Sequence, residues 1–116
     1  MCKVRHGSIV FANIPYNEHN PHQHHGPHFY IVVSNPHACN YSPVVQAIPL
    51  SSNINRRLPV QIEIKADCFT KRSFALAEQL TLLPKNILEE GRYCGTLEAS
   101  QMKTLQNAIK LQLSLE

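Results

Sequence analysis

Two absences set the outer limits on this chain. No apolar run approaches the roughly 20 residues that a membrane-spanning helix requires. The four cysteines, Cys2, Cys39, Cys68 and Cys94, are widely scattered, which excludes the short paired spacing of a structural zinc site or a redox CxxC motif. Met1-Cys2-Lys3-Val4-Arg5 lacks the apolar stretch of a signal peptide, so a cytoplasmic protein with reduced, mostly structural thiols is expected. There is no internal repeat and no domain linker. Charge is sparse too: a net charge of +3 suits an anionic partner without demanding one. With 43% hydrophobic and 16% charged residues, the composition excludes a disordered tail. At 116 residues the chain reads as a single domain over 1–116 with a real core.

What is present is concentrated in one place. Five of the seven histidines (His19, His22, His24, His25 and His28) crowd into ten residues among Asn20, Pro21, Gly26 and Pro27. An apolar run, Phe29-Tyr30-Ile31-Val32-Val33, starts directly after them. Imidazole exchanges protons near neutral pH, so His28, on a rigid strand at the mouth of a long loop, is placed for acid–base work. His22, His24 and His25 also invite a zinc or nickel reading. No nearby Cys or Asp completes such a site, and no metal or other cofactor is expected.

The periodicities predict a mainly β (α+β) fold. Strands are expected over residues 7–14 and 28–34, separated by a thirteen-residue loop of the length that usually carries function. Asn35-Pro36-His37 breaks the second strand, and Val44–Ile48 forms a third that Pro49 closes. In residues 59–64 Val60, Ile62 and Ile64 face one way and Gln61 and Glu63 the other. A further strand covers roughly 73–82, Pro84-Lys85-Asn86 opens a helical turn, and residues 93–97 add a last strand. From about Ala99, Met102, Leu105, Ile109 and Leu113 recur at helical spacing, with Ser100 or Glu98 as candidate caps. Five or six strands in a strongly curved sheet, closed by a C-terminal helix, make a small SH3-like, partly open β-barrel.

The order of these segments resembles the MazF/PemK family of toxin endoribonucleases. Arg5-His6-Gly7-Ser8-Ile9-Val10-Phe11-Ala12 is similar to the family's first strand, and Phe29–Asn35 to its second. Ala47-Ile48-Pro49-Leu50-Ser51-Ser52 resembles its "P-x-T-S/T" segment, Leu76-Ala77-Glu78-Gln79 its "L-A-D/E-Q" segment, and Gly95-Thr96-Leu97 its lead into the last helix. No one of these is specific, but their order and spacing are. The resemblance implies metal-independent cleavage of single-stranded RNA by its own 2′-hydroxyl, a homodimer, a cognate antitoxin as partner, and no membrane association.

Carried over residue by residue, the family's catalytic threonine falls on Ser51, which keeps the hydroxyl. Its arginine falls on His28, which exchanges a permanently charged fork for a proton carrier. His28 and Ser51 are therefore the expected catalytic pair. Ser52, Arg56, Arg57, Glu78 and Gln79 are expected RNA contacts. For the arginines a solvated basic turn competes with phosphate gripping. For Glu78 and Gln79 a buried hydrogen bond between strands competes with base reading or orientation of a catalytic partner. Gln23 stands where the family's loop carries an acidic residue. Lys65, Lys71 and Arg72 read as solvated surface charges. Tyr16, Phe29, Tyr30 and Tyr41 are candidates for base stacking, with one of the neighbours Phe29 and Tyr30 assigned to the core. Two rivals share the fold: a catalytically silent binding module that has lost the arginine, and a CcdB-like gyrase-targeting toxin. The absence of tryptophan and the ending Leu113-Ser114-Leu115-Glu116 count against the second.

Overall fold

The computed structural model describes residues 4–16, 18–19, 25–52 and 58–115. Seven strands form one curled sheet: β1 (Ser8–Ile14), β2 (Gly26–Val32), β3 (Val44–Ser51), β4 (Gln61–Ile64), β5 (Ser73–Leu76), β6 (Thr81–Pro84) and β7 (Arg92–Thr96). Six follow the order β4-β5-β3-β2-β1-β7, and β6 lies off this path, against β3. Three helices complete the fold: α1 (Pro36–Tyr41), α2 (Lys85–Glu89) and α3 (Ala99–Gln112). Among the described residues no helix is long and apolar enough to cross a membrane.

The sheet has two buried faces, because strand alternation sends neighbouring side chains to opposite sides. Ile31, Ile48, Leu50, Ile64 and Ala75 pack with Met102, Leu105 and Ala108 of α3 on one side. Val10, Ala12, Tyr30, Val32, Val45 and Ala47 pack with Cys39 of α1 and Leu88 of α2 on the other. The α3 stripe ends earlier than its spacing predicts. Ile109 is half-buried, the helix stops at Gln112, and Leu113 beyond it is 51% exposed. Glu98 takes the position before α3 but makes no capping hydrogen bond with its side chain.

Four further expectations are corrected. Pro49 does not close β3, which runs on to Ser51. Pro49 falls where β3 passes from β6, paired with Val44–Ala47, to β5, paired with Leu50 and Ser51, so no ladder partner on that edge needs a proline N–H. The expected strand over 73–82 is two strands around a 3₁₀ turn at Ala77–Gln79, because β5 and β6 pair with different stretches of β3. The break at Asn35-Pro36 is itself a helix start: the Asn35 side chain accepts from Ala38 N at 2.9 Å and Pro36 opens α1. Gln61 is buried, not solvent-facing. Its amide oxygen accepts from Leu58 N at 2.8 Å and its amide nitrogen donates to Glu78 at 2.6 Å.

The cysteines divide. Cys39 is a buried free thiol, pushed up from its ordinary pKa by burial, with the charge of Lys85 pulling the other way. Cys68 and Cys94 form a disulfide, which corrects the expectation of reduced thiols throughout. β4 and β7 stand at opposite ends of the strand order, and the curl brings the β4–β5 loop onto β7 so that the bond ties the two ends together. Gly91 permits the adjacent approach of β7 to β1: a Cβ there would lie 2.6 Å from the Phe11 carbonyl oxygen.

Tyr30 is fully buried, and its hydroxyl finds no hydrogen-bond partner among the described residues. Burial pushes its pKa up to about 12 from 10.0. The folded state thus holds the phenolic proton more tightly than the unfolded chain does. That advantage is complete below pH 10 and is lost as pH rises through 12, an effect of about 2–3 kcal/mol. Tyr30→Phe should abolish this alkaline loss and be neutral or stabilising by about 1 kcal/mol at pH 7. Urea unfolding at both pH values measures it. A Tyr30→Phe protein destabilised at pH 7 would show that the hydroxyl is satisfied.

Candidate active site

β2 and β3 pair antiparallel with Tyr30 opposite Pro49, Ile31 opposite Ile48 and Val32 opposite Ala47. The pairing ends at Tyr30 and Pro49, and His28 and Ser51 lie two residues beyond that pair on their own strands. By strand alternation His28 shares the face of Tyr30, their ring centroids 6.5 Å apart, and Phe29 takes the other face. His28 and Ser51 are each half-buried and both line a cleft of about 270 Å³. Exposed Ser52 adds a second hydroxyl.

The floor is aromatic. Phe29 meets Phe11 on one side and Phe69 on the other, each edge-on with ring centroids 4.9 Å apart. The Arg92 guanidinium sits 5.4 Å from the Phe11 ring centre, a cation–π contact that holds this floor from the β7 side. The remaining wall comes from the β4–β5 loop through Phe69, Thr70 and Lys71. His28, Ser51, Ser52, Thr70 and Lys71 thus border one cleft together with three phenylalanines. Such a set can hydrogen-bond an anion and move a proton while stacking contacts hold a planar group.

Other expected site residues lie elsewhere. Arg56 and Arg57 fall outside the described residues, as do His22, Gln23 and His24. Glu78 and Gln79 occupy the 3₁₀ turn and do not line the cleft. Glu78 accepts the hydrogen bond from Gln61, and its other carboxylate oxygen is buried without a partner among the described residues. Of the stacking candidates, Phe29 lines the cleft and Tyr30 belongs to the core. Tyr16 and Tyr41 are exposed at other places, against His25 and His37 respectively. Among the described residues no three metal-ligating side chains converge.

The sequence reading missed Phe11, Phe69, Thr70 and Lys71 as cleft residues. The β4–β5 loop carries no periodic signal, and only the pairing of β5 with the end of β3 brings it over Ser51. Lys71 and Arg72 are adjacent in sequence yet differ in environment. Arg72 is committed to Glu63 through two hydrogen bonds of 3.0 Å, and this partner raises its pKa.

Residues 5–113 match the family of PemK-like, MazF-like toxins of type II toxin–antitoxin systems. The chain belongs to that family. Its fold is shared with MazF from Deinococcus radiodurans at a TM-score of 0.80 and 15% identity, covering 99% of this chain and 100% of that one. An endoribonuclease from a mycobacterial species aligns with a TM-score of 0.75 at 18% identity over 99% of this chain and 95% of its own. A mycobacterial endoribonuclease in complex with its cognate antitoxin aligns with a TM-score of 0.74 at 19% identity over 100% and 98%. No curated protein sequence matches the chain. A PemK/MazF-type sheet with a C-terminal helix is thus reached through a sequence that differs at most positions from these structures.

Proposed function

We propose that this PemK/MazF-family toxin is a metal-independent endoribonuclease whose reaction centre is the cleft bordered by His28 and Ser51. The observation that supports this reading is that His28 and Ser51 line one cleft. The RNA 2′-oxygen attacks the adjacent phosphorus, the bond to the 5′-oxygen breaks, and a 2′,3′-cyclic phosphate and a 5′-hydroxyl result. One proton must leave the 2′-hydroxyl and one must reach the departing 5′-oxygen. His28 contacts the phosphate, takes the proton from the 2′-hydroxyl and delivers one to the departing 5′-oxygen. Ser51 donates a hydrogen bond to a phosphate oxygen, with Ser52 beside it, and the Phe11–Phe29–Phe69 floor supports an unpaired base. Arg56 and Arg57 steer the polyanion, and Glu78 and Gln79 support the strand bearing the cleft wall. The working form is a cytoplasmic homodimer of single-domain subunits, neutralised by a cognate antitoxin as in the mycobacterial complex.

The test is direct. Purified protein incubated with unstructured RNA in EDTA should yield fragments ending in cyclic phosphate. An intact folded protein that cuts no RNA but binds it or an antitoxin would favour the silent binding module.

A further inference from the structure

We propose that Lys71 supplies the permanent positive charge that meets the RNA phosphate in this cleft; this rests on reading the cleft as the RNA-cleaving site. Attack by the 2′-oxygen loads a second negative charge onto the phosphate oxygens in the transition state. Fixed positive charge aimed at that point is the largest contribution a protein can make to such a step. Hydroxyls supply hydrogen bonds but no net charge. Imidazole that is to move a proton cannot hold its charge through the whole reaction. Among the described residues that line the cleft, Lys71 is the one with a permanent cation.

Three features hold the Lys71 main chain in place. The Ser73 hydroxyl donates to the Lys71 carbonyl at 3.1 Å. The Cys68–Cys94 disulfide fastens the loop to β7. Phe69 is wedged against Phe29, the residue after His28. A backbone held at three points positions a charge at little cost in ordering. The neighbouring cation cannot substitute, because Arg72 is gripped by Glu63 and leans over the Phe74 ring at 5.3 Å. A lysine ammonium is a compact point charge without the directional fork of a guanidinium. It can therefore follow the phosphate as its geometry changes from tetrahedral to five-coordinate. Lys71 contributes charge, and both proton transfers stay with His28.

The experiment compares wild type, Lys71→Met, Lys71→Arg and, as a surface control on α3, Lys103→Met. Lys71→Met should lower kcat about 10²–10³-fold with a much smaller change in KM, and Lys71→Arg should recover most of the loss. Binding to an uncleavable oligonucleotide with 2′-deoxyribose at every position, measured against salt, should lose about 0.7 from its log–log slope in Lys71→Met. Lys103→Met should change neither. If Lys71→Met keeps the wild-type kcat and salt slope, this inference falls while the nuclease reading stands. If wild type binds the oligonucleotide without cutting RNA, and Lys71→Met lowers the slope, the phosphate contact stands and the nuclease reading falls. Wild type that neither cuts RNA nor binds the oligonucleotide overturns both.

Discussion

His28→Ala is expected to lower RNA cleavage by about 10²–10⁴-fold, the range a positioned acid–base group contributes. The melting temperature should barely move, since His28 is half-buried at the outer end of β2 and stands outside both packed clusters. His28→Gln should behave like alanine, because an amide keeps hydrogen-bonding capacity and size but cannot carry a proton. His28→Arg is the sharper comparison. The family resemblance suggests arginine at this position, and a simple restoration argument would forecast a gain.

The geometry forecasts a loss. If Lys71 already brings a permanent charge to the cleft, a guanidinium at position 28 adds charge that is not needed and removes the one group able to take a proton. His28→Arg should therefore remain at least about tenfold below wild type. Single-turnover rates on one short RNA, alongside end-group analysis for cyclic phosphate, read all three substitutions. A His28→Arg protein faster than wild type would mean that charge, not proton transfer, limits the natural chain. Unchanged cleavage in His28→Ala would remove His28 from the reaction altogether.

How far the site was legible follows from which contacts are local. His28 and Ser51 are expected as a pair from the family resemblance carried over residue by residue, and both line one cleft. Both lie just beyond the last β2–β3 pair, Tyr30 with Pro49. The alternation of Phe29 and Tyr30 likewise foretold that one would be core, and Tyr30 is. The Lys71 wall was illegible for a physical reason. Its place depends on β5 lying against the last two residues of β3, a pairing between segments more than twenty residues apart with no local signature. The same holds for Gln61. Its alternation assigns it to solvent, and the hydrogen bonds from Leu58 N and to Glu78 of the 3₁₀ turn satisfy its amide enough to bury it. Helix α1 carries a local but ambiguous signal, because Asn-Pro follows the end of a strand and Asn at the cap with Pro at the first position also begins a helix.

Reduction of the Cys68–Cys94 bond should be the largest single loss of stability available to this fold without touching its core. The two cysteines are 26 residues apart in sequence, and closing a loop of that length removes unfolded-state entropy worth roughly 3 kcal/mol. For a chain of this size that corresponds to a fall in melting temperature of about 10–15 °C. The bond spans the gap between the β4–β5 loop and β7, so its loss frees one wall of the cleft before it frees the sheet. Cleavage should decline under reductant at temperatures where the fold, followed by circular dichroism, is still intact. Cys68→Ser with Cys94→Ser should reproduce the reduced state and be indifferent to reductant. The sheet itself should survive, since β1, β2 and β3 form its continuous centre and neither cysteine belongs to them. Melting curves with and without dithiothreitol, with thiol counting by mass, decide the matter. Equal melting temperatures for a protein shown to be oxidised and then reduced would mean that hydrogen bonds and packing alone, such as Phe69 on Phe29 and Gln101 on Lys65, hold the loop in place.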